Sequence, residues 1–369
     1  MRDRMVLIVD SHEDIAYNVL NFSRDYLRAA SETRALEKDS GIPAINGESL
    51  IGWPDYQRGK IAIVFGTLFI VPQAYHTGQW GNMTYRNPSE AASLHQAQVD
   101  VYHRLADENP EKFKLIINKS ELDAIVAEWE NKPISYPDLT NPVGIIMTME
   151  GAEGIGSLDE LHKWWELGVR IIGPVWAGGR FCGGTRQNGS FTSEGYKLLE
   201  MMAELGFVLD MSHMSEVSVL QAVDRYEGEM IASHANAKAL LKNVPHQRHL
   251  TDTAIKRIAE RSGVIGVIPY NNFLKSDWSP ADNRKDITLE HLVDHIDHIC
   301  QLTGSIEHAG IGSDFEGGFG FPDVPYEIDT ISDLQKIALV LQKRGYCPDD
   351  IKQIMGYNWI KKMRSALPQ

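Results

Sequence analysis

Short apolar segments alternate with longer amphipathic segments along most of the chain, and this alternation limits the folds open to it. The apolar runs are rich in Val and Ile, and most segments between them begin with Ser or Thr and end with Gly, the residues that cap helices. Such alternation indicates βα units and a parallel sheet that is buried on both faces. From about residue 140 onward the runs are VGIIMTMEG (143–151), VRIIGPVW (169–176), FVLDMSH (207–213), EMIASH (229–234), VIGVIPY (264–270) and HAGIGSDF (308–315).

The N-terminal part adds three more apolar runs, at 6–10, 61–71 and 113–118, and a helical pattern over 90–106. Eight or nine strands are enough to close a barrel, and 369 residues suit a barrel of this type. The first run continues into DSHEDI and not into the Gly-rich turn of an open doubly wound sheet. We therefore predict one α/β domain over residues 1–369, a (β/α)8 barrel of the TIM type with extended βα loops.

Two long excursions interrupt the pattern, at 19–60 and, with many glycines, at 176–195. Long βα connections in a barrel usually build or cover the active site, so both are expected near it. Gln79, Trp80 and Tyr85 are further candidates for shaping a pocket.

Charge and cysteine content exclude several classes of protein. The net charge of −14 argues against a nucleic-acid partner, which needs clustered Lys and Arg. No run approaches the roughly 18 apolar residues of a membrane span, and the first apolar run is too short for a signal peptide. Cys182, Cys300 and Cys347 form no CxxC pair, so neither a disulfide framework nor a thiolate metal site is indicated. We predict a cytoplasmic protein.

Five of the predicted strands end in residues that bind metals or carry protons. In a barrel the carboxyl ends of all strands meet at one mouth, so these residues can converge there. Imidazole and carboxylate without thiolate suit a catalytic Zn²⁺, with Mn²⁺, Co²⁺ and Fe²⁺ as alternatives. The candidate ligands are His12, Asp14, Glu150, His213 and His234.

Five ligands are more than one catalytic zinc usually takes, so a carboxylate shared between two ions is predicted, with Glu150 as the bridge. Two ions about 3.5–4 Å apart can generate a hydroxide at neutral pH and polarise a carbonyl group.

Each of these residues also has a structural interpretation. A single strand-end histidine is usually a satisfied structural residue, and Asp14 or Glu150 alone could cap a helix. His291, His295 and His298 lie at helical spacing on a helix expected outside the barrel, and we interpret them as surface residues. The joint pattern at five strand ends favours the metal site.

These motifs resemble the renal (membrane) dipeptidase family of zinc peptidases, which belongs to the amidohydrolase-like barrels. The matching stretches follow the family's order and cover nearly the whole chain, except 19–60 and much of 73–140. They are DSHEDI, TMEGAEGIGSLDEL, LGVRIIGPVW, GFVLDMSHMSE, IASHANAKAL, RHLTD, GVIPYNN, HIDHICQLTG, HAGIGSDFEGG and IMGYNWIKKM.

The resemblance implies a hydrolase with two zinc ions. In the family's pattern, His12 and Asp14 hold one ion, His213 and His234 hold the other, and Glu150 bridges them.

The resemblance also implies roles around the substrate. Asp314 corresponds to the catalytic aspartate that takes the proton of the bridging water and passes it to the leaving amine. Arg248 and Tyr270 correspond to the pair that binds the terminal carboxylate of the substrate, a task suited to the planar guanidinium. Without the resemblance, Arg248 reads equally as an exposed loop charge and Tyr270 as strand-end packing.

The chain departs from the family after the fourth strand, where relatives carry a histidine that contacts the substrate carbonyl oxygen. Trp176 stands there, and no histidine occurs between His162 and His213. Support for the oxyanion must then come from the metals alone or from Arg180 or Arg186. Trp176 is predicted to be a substrate-binding wall of the pocket, with a core tryptophan as the alternative.

We therefore expect a binuclear zinc dipeptidase that cleaves the amide bond of a dipeptide with a metal-bridging hydroxide, with a D-residue on the C-terminal side as one option. The alternatives are a barrel hydrolase acting on another small amide, lactam or ester, and a catalytically silent metal-binding barrel. A homodimer is compatible with a barrel of this size, but no interface is indicated.

Overall fold

Eight parallel strands form a barrel at the centre of the molecule, as predicted. The computed structural model describes residues 5–76, 82–131, 140–244, 246–279 and 281–369. The strands, in chain order, are β1 (Ile8–Glu13), β2 (Ile61–Phe69), β3 (Val143–Glu150), β4 (Val169–Gly173), β5 (Val208–Asp210), β6 (Met230–Ile231), β7 (Ile265–Val267) and β8 (Ala309–Ile311).

The strands pair in the order β7-β8-β1-β2-β3-β4-β5-β6, and a parallel bridge between Ala232 and Ile265 joins the two ends. The longest register runs from Ile63 opposite Gly144 to Phe69 opposite Glu150. The run predicted at 113–118 forms a ninth strand, Phe113–Leu115, which pairs with the start of β3 outside the ring.

Helices surround the barrel, and their ends follow the capping residues of the sequence. Helix Ser193–Leu205, for example, begins after Thr192, whose side chain accepts a hydrogen bond from Gly195 N, and ends at Gly206 with φ +86°. The helices are α1 (Ile15–Phe22), α2 (Ala30–Glu37), α3 (Ile42–Asn46), α4 (Trp53–Gly59), α5 (Pro88–Glu108), α6 (Lys119–Asn131), α7 (Leu161–Glu166), α8 (Ser193–Leu205), α9 (Glu216–Arg225), α10 (Asp252–Glu260), α11 (Asn271–Leu274), α12 (Leu289–Thr303), α13 (Gln335–Lys343), α14 (Pro348–Lys352) and α15 (Asn358–Ala366).

Among the residues described, no helix is both long enough and apolar enough to cross a membrane. The surface interpretation of His295 is wrong. This residue of α12 is buried, and its Nδ1 accepts a hydrogen bond from Ala237 N at 3.1 Å. It faces the loop after β6, because α12 packs that side against the barrel.

The excursion at 19–60 folds into short helices and packs behind the loop that follows β8. Its contact with that loop is a buried ion pair in which Arg24 Nη1 lies 2.6 Å from Glu316 Oε2. Arg24 also donates two hydrogen bonds to Glu37, each of 2.9 Å. Burial acts to raise the pKa of Glu316, but the charge of Arg24 and hydrogen bonds from Tyr26 and Ser49 lower it. The excursion therefore supports the Asp314 loop from outside.

Replacing Arg24 with methionine is expected to lower the free energy of unfolding by about 3–5 kcal/mol, because Glu316 and Glu37 would keep buried negative charges without a partner. Arg364→Met is the matched control, since Arg364 pairs with Asp123 at the surface with about half of each side chain exposed. Its expected cost is below about 1 kcal/mol. Urea unfolding of both variants measures the difference, and equal small losses would contradict a stabilising role for the buried network.

Candidate metal centre and active site

The five candidate ligands and Asp314 gather at the carboxyl ends of five strands and in the loops that follow them. His12 lies within β1 and Glu150 is the last residue of β3. Of the remaining four, one directly follows its strand and the other three lie three residues beyond a strand end. These are Asp14 after β1, His213 after β5, His234 after β6 and Asp314 after β8.

Glu150 lies at the centre of this cluster, and its two oxygens face different histidines. Oε1 is 2.8 Å from His213 Nε2 and 3.4 Å from His234 Nε2. Oε2 is 3.4 Å from His12 Nε2. The atoms of His12, Glu150 and His234 lie close enough together to hold one metal ion.

A second group of potential ligands surrounds the other side of His12. Its Nε2 is 3.8 Å from Asp14 Oδ2 and 3.9 Å from Asp314 Oδ1. Asp14 precedes α1, but its side chain makes no capping hydrogen bond, and its Oδ1 has no partner among the described residues. The helix-cap interpretation of Asp14 therefore fails.

Hydroxyl groups orient the two histidines that follow β5 and β6. Thr185 Oγ1 lies 2.8 Å from His213 Nδ1, and Ser233 Oγ lies 2.7 Å from His234 Nδ1. Ser233 also donates to the buried Asp210. These contacts occupy the Nδ1 atoms and leave both Nε2 atoms facing Glu150, as outer partners do in metal sites.

The cluster concentrates negative charge away from water. Burial acts to lower the pKa of His12, but the charges of Glu150, Asp14 and Asp314 raise it to about 9. Burial raises the pKa of Asp314 to about 7, with His12 and Arg248 opposing the rise. Burial lowers the pKa of His213 to about 4. The carboxylates thus draw positive charge into a site that already contains two neutral imidazoles.

The backbone at the site is held in an uncommon conformation. His213 and Asp314 have φ of 66° and 57°, in the left-handed region that residues other than glycine seldom adopt. Next to them, a Cβ on Gly317 would lie 2.4 Å from Asp314 Oδ1 and 2.7 Å from Asp14 Oδ2. Only glycine fits against these two carboxylates.

A cavity of about 470 Å³ opens onto the cluster, and aromatic side chains form much of its wall. Trp176 lies in that wall, with its ring centre 5.2 Å from that of Phe69 and 6.1 Å from that of His213. Trp176 is therefore partly buried: it packs against Phe69 and the hydrophobic cluster around it, and it also lines the cavity.

Arg248 and Tyr270 line the same cavity. Arg248 is only 4% exposed, so it is no exposed loop charge. Its Nη1 donates to His234 O at 2.8 Å, while Nη2 has no hydrogen-bond partner among the described residues and lies 3.8 Å from Asp314 Oδ2. Tyr270 lines the cavity and also has a packing role, since its ring stacks on that of Phe319 with the ring centres 4.2 Å apart.

The two excursions differ in their relation to the cavity. The one at 176–195 lines it, whereas the described lining contains no residue of 19–60, which is a correction to the expectation that both would build or cover the site. The first excursion does not reach the cavity because it is bound, through Arg24, to Glu316, which is not part of the cavity wall.

Of the pocket candidates outside the excursions, Gln79 and Trp80 lie outside the described residues, and Tyr85 lines a small neighbouring cavity behind Trp176. Of the two arginines considered for the oxyanion, Arg186 lines the main cavity. Arg180 instead donates to Ile155 O and lies 3.6 Å from Glu194.

Several residues of the site have no sequence signal of their own. His246 lines the cavity two residues before Arg248, and Thr185 and Ser233 orient the histidines. The sequence offers a hint for two further residues, because each adjoins a predicted site residue. Gly317 belongs to the FEGG motif after Asp314, and Ser233 belongs to the SH pair that contains His234.

A family model matches almost the whole chain, and known proteins match large parts of it. A family model described as membrane dipeptidase, peptidase family M19, matches residues 3–367. An uncharacterized dipeptidase of Schizosaccharomyces pombe is 26% identical over 97% of this chain and 80% of its own length. A protein of Klebsiella pneumoniae from the pqqA 5′ region, itself uncharacterized, is 30% identical over 62% of this chain and 83% of its own.

Solved structures share the fold. A metallopeptidase of Rhodobacter sphaeroides, bound to a phosphinate mimic of the dipeptide L-Ala-D-Ala, superposes with a TM-score of 0.78 at 22% identity, covering 98% of this chain and 99% of that one. The probable dipeptidase PvdM of Pseudomonas aeruginosa gives 0.77 at 19% identity, with 99% and 96% covered. With the family model matching almost every residue, the chain belongs to the membrane dipeptidase family, peptidase family M19, and is a metal-dependent dipeptidase.

Proposed function

We propose that this dipeptidase works with two zinc ions that share Glu150. His12 and Asp14 hold one ion, and His213 and His234 hold the other. The observation that carries the proposal is the orientation of Glu150, with one oxygen toward His12 and the other toward His213 and His234. Three imidazoles, two carboxylates and no thiolate form the ligand set of a catalytic zinc site.

The buried polar atoms of the cluster also fit bound cations. Asp14 Oδ1 is buried without a hydrogen-bond partner among the described residues, which is costly for a carboxylate unless a cation satisfies it. When bound, two such ions lower the pKa of the attacking water and polarise the scissile carbonyl.

Asp314 is the proton carrier of this proposal. It takes a proton from the attacking water and gives it to the leaving amine. Its Oδ1 lies 3.9 Å from His12 Nε2, and its side chain borders both the cluster and the cavity. A buried carboxyl with a raised pKa is suited to both steps, because it can accept a proton and release it near neutral pH.

Arg248 binds the terminal carboxylate of the dipeptide, with Tyr270 beside it. The buried Nη2 of Arg248 lacks a hydrogen bond, and a substrate carboxylate would supply one. Trp176 forms a wall for a substrate side chain. The L-Ala-D-Ala mimic bound by the Rhodobacter sphaeroides protein supports including dipeptides with a D-residue on the C-terminal side among the substrates.

The test combines metal analysis with a dipeptide panel of mixed stereochemistry. We expect about two zinc equivalents per chain and hydrolysis of at least one stereochemical class. One equivalent would contradict the shared site. Turnover of amides, lactams or esters that lack a free carboxylate, unaffected by Arg248→Met, would contradict the role of Arg248. Bound zinc without any hydrolysis would contradict the proposed chemistry.

The proposal also places the enzyme in the cytoplasm, as one domain over 1–369, with a homodimer as an option. The three free cysteines, two of them buried, are compatible with a reducing compartment.

A further inference from the structure

The rim of the cavity carries a cation that the proposed mechanism does not use. Arg186 lines the cavity together with Trp176 and His246. Its guanidinium carbon lies 5.9 Å from the ring centres of both Tyr75 and Trp176. Within the described ranges, no carboxylate forms an ion pair with Arg186. The side chain is exposed and its charge is open to a ligand.

The backbone around Arg186 is fixed on two sides. Thr185 N donates to Trp176 O at 3.0 Å, and Arg186 N donates to Ala177 O at 2.8 Å. On the other side, Gln247 N donates to Thr185 O at 3.0 Å. Arg186 therefore starts from a defined position at the cavity mouth, which limits the entropy lost when it binds a ligand.

The charges around the rim favour an anion. The carboxylates in the described lining are Asp14, Glu150 and Asp314, and all three belong to the metal cluster. Above them, the lining offers the cations Arg248 and Arg186 and no acidic side chain. Although the whole chain has a net charge of −14, the mouth of the cavity is locally positive, and this attracts negatively charged substrates.

His246 can assist as a neutral donor. Burial and the charges of Arg248 and Arg186 lower the pKa of His246, so the ring is neutral at pH 7. Its Nδ1 accepts a hydrogen bond from Arg248 N at 3.3 Å, which leaves the proton on Nε2.

We propose that Arg186, assisted by His246, binds a second carboxylate of the substrate, so that the enzyme prefers dipeptides with an aspartate or glutamate side chain. This inference rests on the proposed function, in which Arg248 binds the terminal carboxylate. A planar guanidinium binds a carboxylate through two parallel hydrogen bonds and does not recognise the neutral amide of Gln or Asn in this way.

The test compares pairs of dipeptides that differ only in charge, Ala-Glu with Ala-Gln and Glu-Ala with Gln-Ala, in a stereochemistry that the enzyme hydrolyses. For the native enzyme we expect kcat/KM to favour the acidic member of one pair by about tenfold. Arg186→Gln should reduce that ratio to about one, and Arg186→Lys should keep part of it. Arg180→Gln is the matched control from the same excursion and should keep the native ratio, since Arg180 contacts Ile155 O and Glu194 instead of the cavity.

Equal kcat/KM for acidic and neutral dipeptides in the native enzyme would overturn the inference. So would an equal loss with both members of a pair in Arg186→Gln, which would assign Arg186 to the carbonyl oxygen. A failure of the proposed function looks different, because no dipeptide would be hydrolysed at all. Calorimetric binding of both dipeptide pairs to the zinc-loaded Asp314→Asn variant, with and without Arg186→Gln, then decides on affinity alone. Equal affinities within both pairs would reject the acidic preference.

Discussion

Replacing Asp314 with asparagine is expected to lower kcat for every dipeptide substrate by about 10²–10⁴-fold while the bound zinc stays near its native level. The range is what a positioned acid–base group typically contributes. Asparagine keeps the size of the side chain but cannot accept the proton of the attacking water. None of the five proposed metal ligands is altered in this variant, so we expect them to keep their places.

The pH dependence gives a second signature of the same role. A base acts only when deprotonated, so kcat should fall as the pH drops through the pKa of Asp314. Burial raises the pKa of Asp314, which moves the fall in kcat to a higher pH than an exposed aspartate would give. Bound cations lower the same pKa and so move the fall in the opposite direction. The residual activity of the asparagine variant should lack this acidic limb.

Asp329→Asn is the matched control for both measurements. Asp329 lies in the same connection after β8, with its side chain 67% exposed and paired with Arg34. It should keep native kcat and the native pH profile. Unchanged turnover in Asp314→Asn, with folding intact by circular dichroism, would remove Asp314 from the chemistry.

The barrel and its rim could be predicted from the sequence because their signals are local. The run at 143–151 carries a strand and its terminal Glu150 together, and Thr192 and Gly206 mark both ends of α8. Once the strands are assigned, barrel geometry alone brings His12 and Asp314 to the same mouth, since parallel strands end on one face.

The support around the site could not be predicted in this way. The ion pair between Arg24 and Glu316 joins residues 292 positions apart, and nothing near either residue indicates the other. The burial of His295 could not be predicted for the same reason, since its partner, the backbone amide of Ala237, has no sequence signature. His246 reaches the cavity because the loop between β6 and β7 folds over the mouth, which no periodicity indicates.

Replacing Glu150 with glutamine is expected to lower zinc content by about one equivalent per chain and to abolish most turnover. The amide keeps the shape of the carboxylate but loses its charge, and its nitrogen cannot bind a metal ion. Both proposed ions share this carboxylate, so the substitution weakens the binding of both. The loss of affinity should exceed the roughly 10–100-fold that is typical when a hydrogen-bond partner of a metal ligand is replaced. Elemental analysis after dialysis and kcat on the panel measure the two effects.

Glu153→Gln separates loss of the shared ligand from disturbance of the loop after β3. Glu153 lies three residues farther on, and its Oε1 accepts a hydrogen bond from Arg180 N at 3.2 Å outside the cluster. We expect this variant to keep about two zinc equivalents. If Glu150→Gln also keeps both, each ion must be held by its own histidines and carboxylates. The two oxygens of Glu150 would then serve as hydrogen-bond acceptors for His12, His213 and His234, a role in which glutamine could replace only part of the carboxylate.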